Sequence, residues 1–163
     1  MALDAYIKFD SIPGESNDDK HKDWIEILSY RIGADQPSTV VSTAGGAAAE
    51  RVDIQDFVIL KALDMASPKL FEACCTGKPI PNIQIELCRA GGDKLTYMTY
   101  KLTNSIISSV HSGGSKQGET LPTEEVTINF GKIEITYTQQ KRSDGLGGGN
   151  IAAGWDLQRN ARV

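Results

Sequence analysis

The chain has 163 residues, 40% hydrophobic and 23% charged, with a formal net charge of −4. That describes one domain, 1–163, large enough to bury a core. Its acidic balance gives no global electrostatic case for a nucleic-acid or anionic-membrane partner.

No apolar run approaches the ~20 residues needed to cross a bilayer, so direct membrane insertion is not expected. The start, Met1-Ala2-Leu3-Asp4, has neither the basic residues nor the apolar stretch of a Sec signal peptide. Cys74, Cys75 and Cys88 are odd in number, and two are adjacent, which argues for reduced thiols made in the cytoplasm.

Residues 2–9 alternate, with Leu3, Ala5, Ile7 and Phe9 on one side and Asp4, Tyr6 and Lys8 on the other, which predicts a half-buried first strand. A polar loop follows over 11–23, with a turn at Pro13-Gly14 and a mixed charge run from Asp18 to Asp23 read as solvated. In a second predicted strand, 24–34, Leu28, Tyr30 and Ile32 share a face, and Ser29 and Arg31 lie opposite. Ile25 and Ile27 make its start apolar on the other parity. Residues 36–51 differ: Pro37, Ser38, Thr39, Ser42, Thr43, Gly45 and Gly46 with a tail of three alanines predict an extended loop. Structureless loops of that length are uncommon in compact domains and usually functional. This one cannot build its own core, which points to ordering against a neighbouring subunit.

Val52, Ile54, Phe57 and Ile59 predict a third strand leading into one substantial helix at about 64–76. There Ser67 is the expected N-cap, Pro68 the first helical residue, and Gly77 the left-handed stop. Leu70, Phe71 and Cys74 share its apolar face, with Leu63 as an upstream staple. Residues 82–89 place Ile83, Ile85 and Leu87 inward and Gln84, Glu86 and Cys88 outward. Ala90-Gly91-Gly92-Asp93 then turns the chain into a long strand over 95–110. Apolar parity changes between Val126, Ile128, Phe130 and Ile133, Ile135, Tyr137, which predicts a β-bulge at Gly131-Lys132. A flexible connector at about 141–150 leads to a short last strand at Gly154-Trp155-Asp156-Leu157. The result is a mainly β fold, an antiparallel β-barrel of two sheets with one flanking α-helix.

Catalytic chemistry does not emerge from this pattern. Gly77-Lys78 fails as a phosphate loop, because Glu72 stands where the earlier glycine belongs and Pro79 where Ser or Thr should hold magnesium. Cys74-Cys75 is not a metal-binding spacing, and no serine sits in a nucleophile elbow. Glu124 and Glu125 are adjacent and so fall on opposite strand faces. The expectation is a non-enzyme with no catalytic, cofactor-binding or metal-ligating residues and no cofactor.

Taken in order, other features carry a family signature. They are Gly14-Glu15-Ser16, Val52-Asp53-Ile54-Gln55-Asp56-Phe57, the Ser67-Pro68 helix with Ala73-Cys74 and Gly77-Lys78, and Arg89-Ala90-Gly91-Gly92. Ile107-Ser108-Ser109-Val110, Ser112-Gly113-Gly114, Glu125-Val126 with Phe130, Gly154-Trp155 and Arg159-Asn160 complete it. The chain resembles, across essentially its whole length, the haemolysin-coregulated protein (Hcp) family of bacterial type VI secretion systems. The resemblance implies a secreted structural subunit that forms homohexameric rings, stacks them into the inner tube, and holds effectors in the lumen. It implies partners in the spike, sheath and effector proteins, and export without a cleaved signal peptide. A ring closes through two complementary surfaces per subunit, and the extended loop, from Thr39, Val40, Val41, Ser42 and Thr43 to Ala44, Gly45 and Gly46, is the expected subunit or ring-stacking contact. By alternation Ser29 and Arg31 are the expected lumen and cargo-facing positions. The alternative function is a monomeric β-barrel binding a ligand or carbohydrate.

Overall fold

The computed structural model describes residues 3–39, 48–49, 51–91, 94–118, 121–140 and 147–163. Strands β1 (Leu3–Phe9), β2 (Ile25–Ile27), β3 (Ser29–Arg31) and β8 (Phe57–Ala62) precede helix α1 (Ser67–Thr76). Then come β9 (Ile80–Arg89), β10 (Thr96–Gly113), β11 (Thr123–Gln140), β12 (Gly147–Asp156) and β13 (Ala161–Arg162). Between β3 and β8 lie four two-residue strands, β4 (Ala34–Asp35), β5 (Ser38–Thr39), β6 (Ala48–Ala49) and β7 (Asp53–Ile54).

The main sheet has nine antiparallel strands in the order β13-β12-β11-β10-β9-β1-β2, with β8 pairing both β11 and β3. It coils around one core, as a right-twisted sheet must when its apolar face is longer than a flat layer can cover. The mainly β fold with a flanking helix agrees with the sequence reading, but the hydrogen-bonded order does not close into a barrel. The strand expected over 24–34 breaks at Leu28, so that β2 pairs β1 while β3 pairs β8. Leu28 donates its N–H to the Leu60 carbonyl at 2.7 Å and points its side chain outward, 56% exposed. Leu28 is therefore not the inward residue that alternation predicts; Ile25 and Ile27 are buried instead.

The parity change near Gly131 is real but is not a bulge. Thr103 pairs Lys132 and Ser105 pairs Phe130, an unbroken register. Both strands turn over together: Tyr100 and Leu102 are buried before Asn104, Ser105 and Ile107 after it. Asn104 adopts φ 53° opposite Gly131, a left-handed state that asparagine tolerates better than most residues. The register slip falls instead between Ile107 and Ser109. This paired kink carries two 18-residue strands around the core.

Helix α1 lies against β10, with Leu70 buried and Ala73 and Cys74 partly so. Phe71, expected on the same face, is 60% exposed. Ala66, not Ser67, is the N-cap, and it makes no side-chain capping bond. Ser67 Oγ instead accepts from the Asp64 N–H and from Lys61 Nζ. Gly77 ends the helix at φ 65°, its N–H donating to the Ala73 carbonyl, as the sequence indicates. The last strand is longer than predicted: β12 takes in residues 147–150 of the expected connector.

Candidate functional site

The expected loop at 36–51 stands on a β-ribbon. Ala34 pairs Ile54 and Asp35 pairs Asp53; further out Ser38 pairs Ala49 and Thr39 pairs Ala48. Thr39 lies in β5; Val40, Val41, Ser42, Thr43, Ala44, Gly45 and Gly46 lie outside the described residues. Ser29 and Arg31 are both exposed on β3, separated by half-buried Tyr30. The ring of Tyr30 packs on Phe57 and Tyr100, with centroids 5.9 and 5.7 Å away. Burial, reinforced by the Tyr30 hydrogen bond, pushes the Tyr100 phenol up. Ser29 and Arg31 thus occupy the outward face behind an aromatic anchor.

At the foot of the ribbon lies a largely apolar cavity of about 740 Å³, lined among others by Ile32, Val52, Ile54, Ile133, Ile135 and Trp155. Its floor continues as three cross-strand pairs of β11 and β12: Ile133 with Trp155, Ile135 with Ala153, and Tyr137 with Ile151. Two-residue spacing puts all six on one face. Exposure climbs along that face, from 5% at Ile133 to 43% at Tyr137 and 72% at Ile151. The apolar face outruns the core that covers it. At the other end of β11, exposed Leu63, Met65 and Leu121 lie around the Leu63 N–H to Pro122 carbonyl bond.

A second assembly escaped the sequence reading. The loop over 11–23, expected to be solvated, folds tightly onto the sheet. A Cβ on Gly14 would lie 2.4 Å from the Trp24 carbonyl oxygen, so no larger residue fits. His21 is buried, its Nδ1 2.7 Å from Asp18 Oδ2 and its Nε2 2.6 Å from Glu86 Oε2. The imidazole stacks on Tyr6 at 4.3 Å and meets Trp24 edge-on at 4.9 Å. Tyr6, expected on the outward side of β1, is buried by this stack. Lys94 Nζ closes the top, 2.8 Å from Asp18 Oδ1 and 3.1 Å from the Tyr6 hydroxyl. The Lys94 hydrogen bond, with help from His21, draws the Asp18 carboxyl down to about 2, and the same bond raises Lys94. Cys88, predicted outward, is 1% exposed with Sγ 3.8 Å from His21 Nε2; burial pushes its thiol up. The signal available in sequence was the match of a loop histidine to two polar positions, Glu86 and Cys88, on one strand face.

The third buried polar group joins β8 to β11. Lys61 Nζ, fully buried, lies 2.9 Å from Glu124 Oε1 and 2.9 Å from Asp64 Oδ1. Glu125 is exposed, so the adjacent glutamates do face opposite ways.

The described residues define a mainly β protein: an antiparallel coiled sheet with one flanking helix, a protruding ribbon and an apolar face that continues to exposed Tyr137 and Ile151. The family described as "Type VI secretion system effector, Hcp" matches residues 6–137. Protein hcp1 of Pseudomonas aeruginosa is 34% identical, with all of both chains covered. The crystal structure of Hcp1 from Salmonella typhimurium is 36% identical with a TM-score of 0.83, again over all of both chains. A type VI secretion system effector from Yersinia pestis is 34% identical with a TM-score of 0.76, covering 94% of this chain and 99% of its own. A type six secretion system protein superposes with a TM-score of 0.94 at 34% identity, over 99% of this chain and 100% of that one. The chain belongs to the Hcp family of type VI secretion. Among the described residues, no helix is long and apolar enough to cross a membrane.

Proposed function

We propose that this chain, as one Hcp-like domain over 1–163, is the ring-forming subunit of a type VI inner tube. Six copies close a ring, rings stack, and effectors are held in the lumen. The observation that carries this reading is the apolar face of β11 and β12, which runs beyond its own core to bare Tyr137 and Ile151. A second apolar patch at Leu63, Met65 and Leu121 lies at the opposite end of β11. Two different surfaces per subunit are what a closed heterologous ring requires. Residues 39–46 contact the next subunit or ring, and Ser29 and Arg31 face the channel. The spike, sheath and effector proteins are its partners, and it leaves the cell through the type VI system. It performs no catalysis; its work is assembly.

Light scattering on a size-exclusion column, followed by negative-stain images of the peak, tests this. A mass of six chains with annular particles is expected. A monomer with no annular particles would overturn the ring reading. It would favour a monomeric ligand-binding module instead, for which the cavity of about 740 Å³ has the size of a small-molecule site.

A further inference from the structure

Glu86 and Cys88 are two residues apart on β9 and therefore share a face. His21 is brought over them by the loop: Nε2 lies 2.6 Å from Glu86 Oε2 and 3.8 Å from Cys88 Sγ. The three donor atoms all lie within 4.8 Å of one another. We propose that His21 Nε2, Glu86 Oε2 and Cys88 Sγ form a binding site for a single divalent transition-metal cation of the zinc class.

The surroundings are those of a supported metal site. Asp18 Oδ2 accepts from Nδ1, which fixes the ring and directs Nε2 at the other two donors, as carboxylates behind ligating histidines do. Thr96 Oγ1 donates to Glu86 Oε2 at 3.1 Å and lies 3.4 Å from Cys88 Sγ. Gln84 Nε2 holds the second Glu86 oxygen at 2.6 Å. An imidazole, a carboxylate and a thiolate together suit Zn²⁺ and its spectroscopic surrogate Co²⁺ better than Mg²⁺ or Ca²⁺, which prefer oxygen.

Charge and geometry both permit the exchange. In the metal-free site Nε2 donates to the Glu86 carboxylate, Nδ1 faces that of Asp18, and Sγ is a buried thiol. The incoming M²⁺ forms bonds to Nε2 and Sγ, and both protons leave to solvent. Two positive charges depart and two arrive, so the buried cluster keeps its net charge. Tetrahedral bonds of the usual lengths set Nε2 and a carboxylate oxygen ~3.3 Å apart and Nε2 and a thiolate ~3.6 Å apart. The sulfur is already close to that separation. The Glu86 oxygen must move away from Nε2 by about 0.7 Å while staying within reach of Sγ, a side-chain rotation for a residue at the edge of the cluster. Water or Thr96 completes the fourth position. Because the proton on a buried thiol must be displaced, affinity rises with pH.

Cobalt binding decides the matter, in full-length protein carrying Cys74→Ser and Cys75→Ser so that Cys88 is its sole thiol. The expected result is a thiolate-to-cobalt absorption that saturates at one ion per chain, with release of two protons and displacement by Zn²⁺. Cys88→Ser abolishes the absorption, and Glu86→Gln weakens binding by at least about tenfold while the metal-free protein unfolds cooperatively as before. Zn²⁺ then raises the unfolding temperature of the Cys88 protein but not of Cys88→Ser. Absence of that absorption with cobalt in excess would overturn the site. So would equal zinc stabilisation of both proteins, which would place the ion elsewhere. If Cys88→Ser does not fold, Glu86→Gln decides: unchanged affinity refutes the proposal.

Discussion

Replacing Lys61 by Met should be among the most damaging single changes outside the apolar core, and the structure sets its size. Lys61 lies directly opposite Glu124 in the β8–β11 ladder. Its three ammonium protons have three acceptors: Glu124 Oε1 at 2.9 Å, Asp64 Oδ1 at 2.9 Å and Ser67 Oγ at 3.0 Å. Glu124 is 2% exposed and also accepts from the Ser112 hydroxyl at 3.2 Å. Lys61→Met therefore strands a buried carboxylate without a cation, a loss of about 3–5 kcal/mol. Glu124→Gln removes charge but keeps an acceptor, and Lys61 retains Asp64, so about 1–2 kcal/mol should go. At ~2–4 °C per kcal/mol for a chain of this size, the first variant melts roughly 6–20 °C lower. Lys61→Met/Glu124→Leu should recover part of the loss, because no buried Glu124 charge is left unpaired, while the less buried Asp64 still loses its cation. Urea denaturation followed by far-UV circular dichroism measures all three, at one chain concentration because assembly adds stability. A loss below about 1 kcal/mol for Lys61→Met, the value of a surface pair, would refute the reasoning.

The same kind of argument reaches the loop and the ribbon. The Asp18 carboxyl is held at about 2, below its ordinary 3.8. A depressed acid contributes stability that is complete above its unfolded pKa and lost as the pH falls through the folded one. The fold should therefore weaken between about pH 4 and pH 2, and Asp18→Asn should flatten that acid limb; an unchanged limb by circular dichroism would sink the linkage. Deleting residues 39–46 should leave a cooperatively folding sheet, since the ribbon pairs β4–β7 and β5–β6 stand apart from the main sheet. Rings or stacks should weaken by light scattering, and unchanged assembly would remove the proposed interface role. Arg31→Glu should alter effector binding in pull-down titrations while the assembled mass stays constant. Loss of the assembly would place Arg31 in a subunit contact instead.

What the sequence made legible was whatever follows from local periodicity. The inward positions Ala5, Ile7 and Phe9 of β1, those of β9 and the Gly77 stop of α1 all came from spacing and backbone preference, which act within a few residues; the helix start was read one residue late. Three of the failures have one cause in common. Leu28, Tyr6 and Cys88 sit where a neighbouring element, not the strand's own alternation, decides exposure. Leu28 is thrown outward because the chain changes partner strands there. Tyr6 and Cys88 are covered by His21, from a loop whose charges made it look solvated. The Asn104 kink shows the same limit. Parity in β11 alone announced a bend, but only the pairing with β10 distinguishes a bulge from two strands turning over together. The exposed face of Ser29 and Arg31 was readable by alternation. The ribbon beneath residues 39–46 was not, because its strands are two residues long and pair across the loop.

These features divide the molecule mechanically. The sheet is fastened at three separated points by groups that tolerate little movement: the Lys61 cluster between β8, β11 and the helix start, the His21 cluster between loop and β9, and the aromatic contact of Tyr30, Phe57 and Tyr100. Each joins elements distant in sequence, so none is released by fraying one strand. Among the described residues, the ribbon and the outer ends of β11 and β12 carry no comparable buried cluster, and Tyr137 and Ile151 stand exposed there. A subunit of a stacked tube, as proposed, needs that division. Its wall must resist deformation, while its contacts must gain their order from neighbours, since surface completed within the chain would leave nothing to drive association.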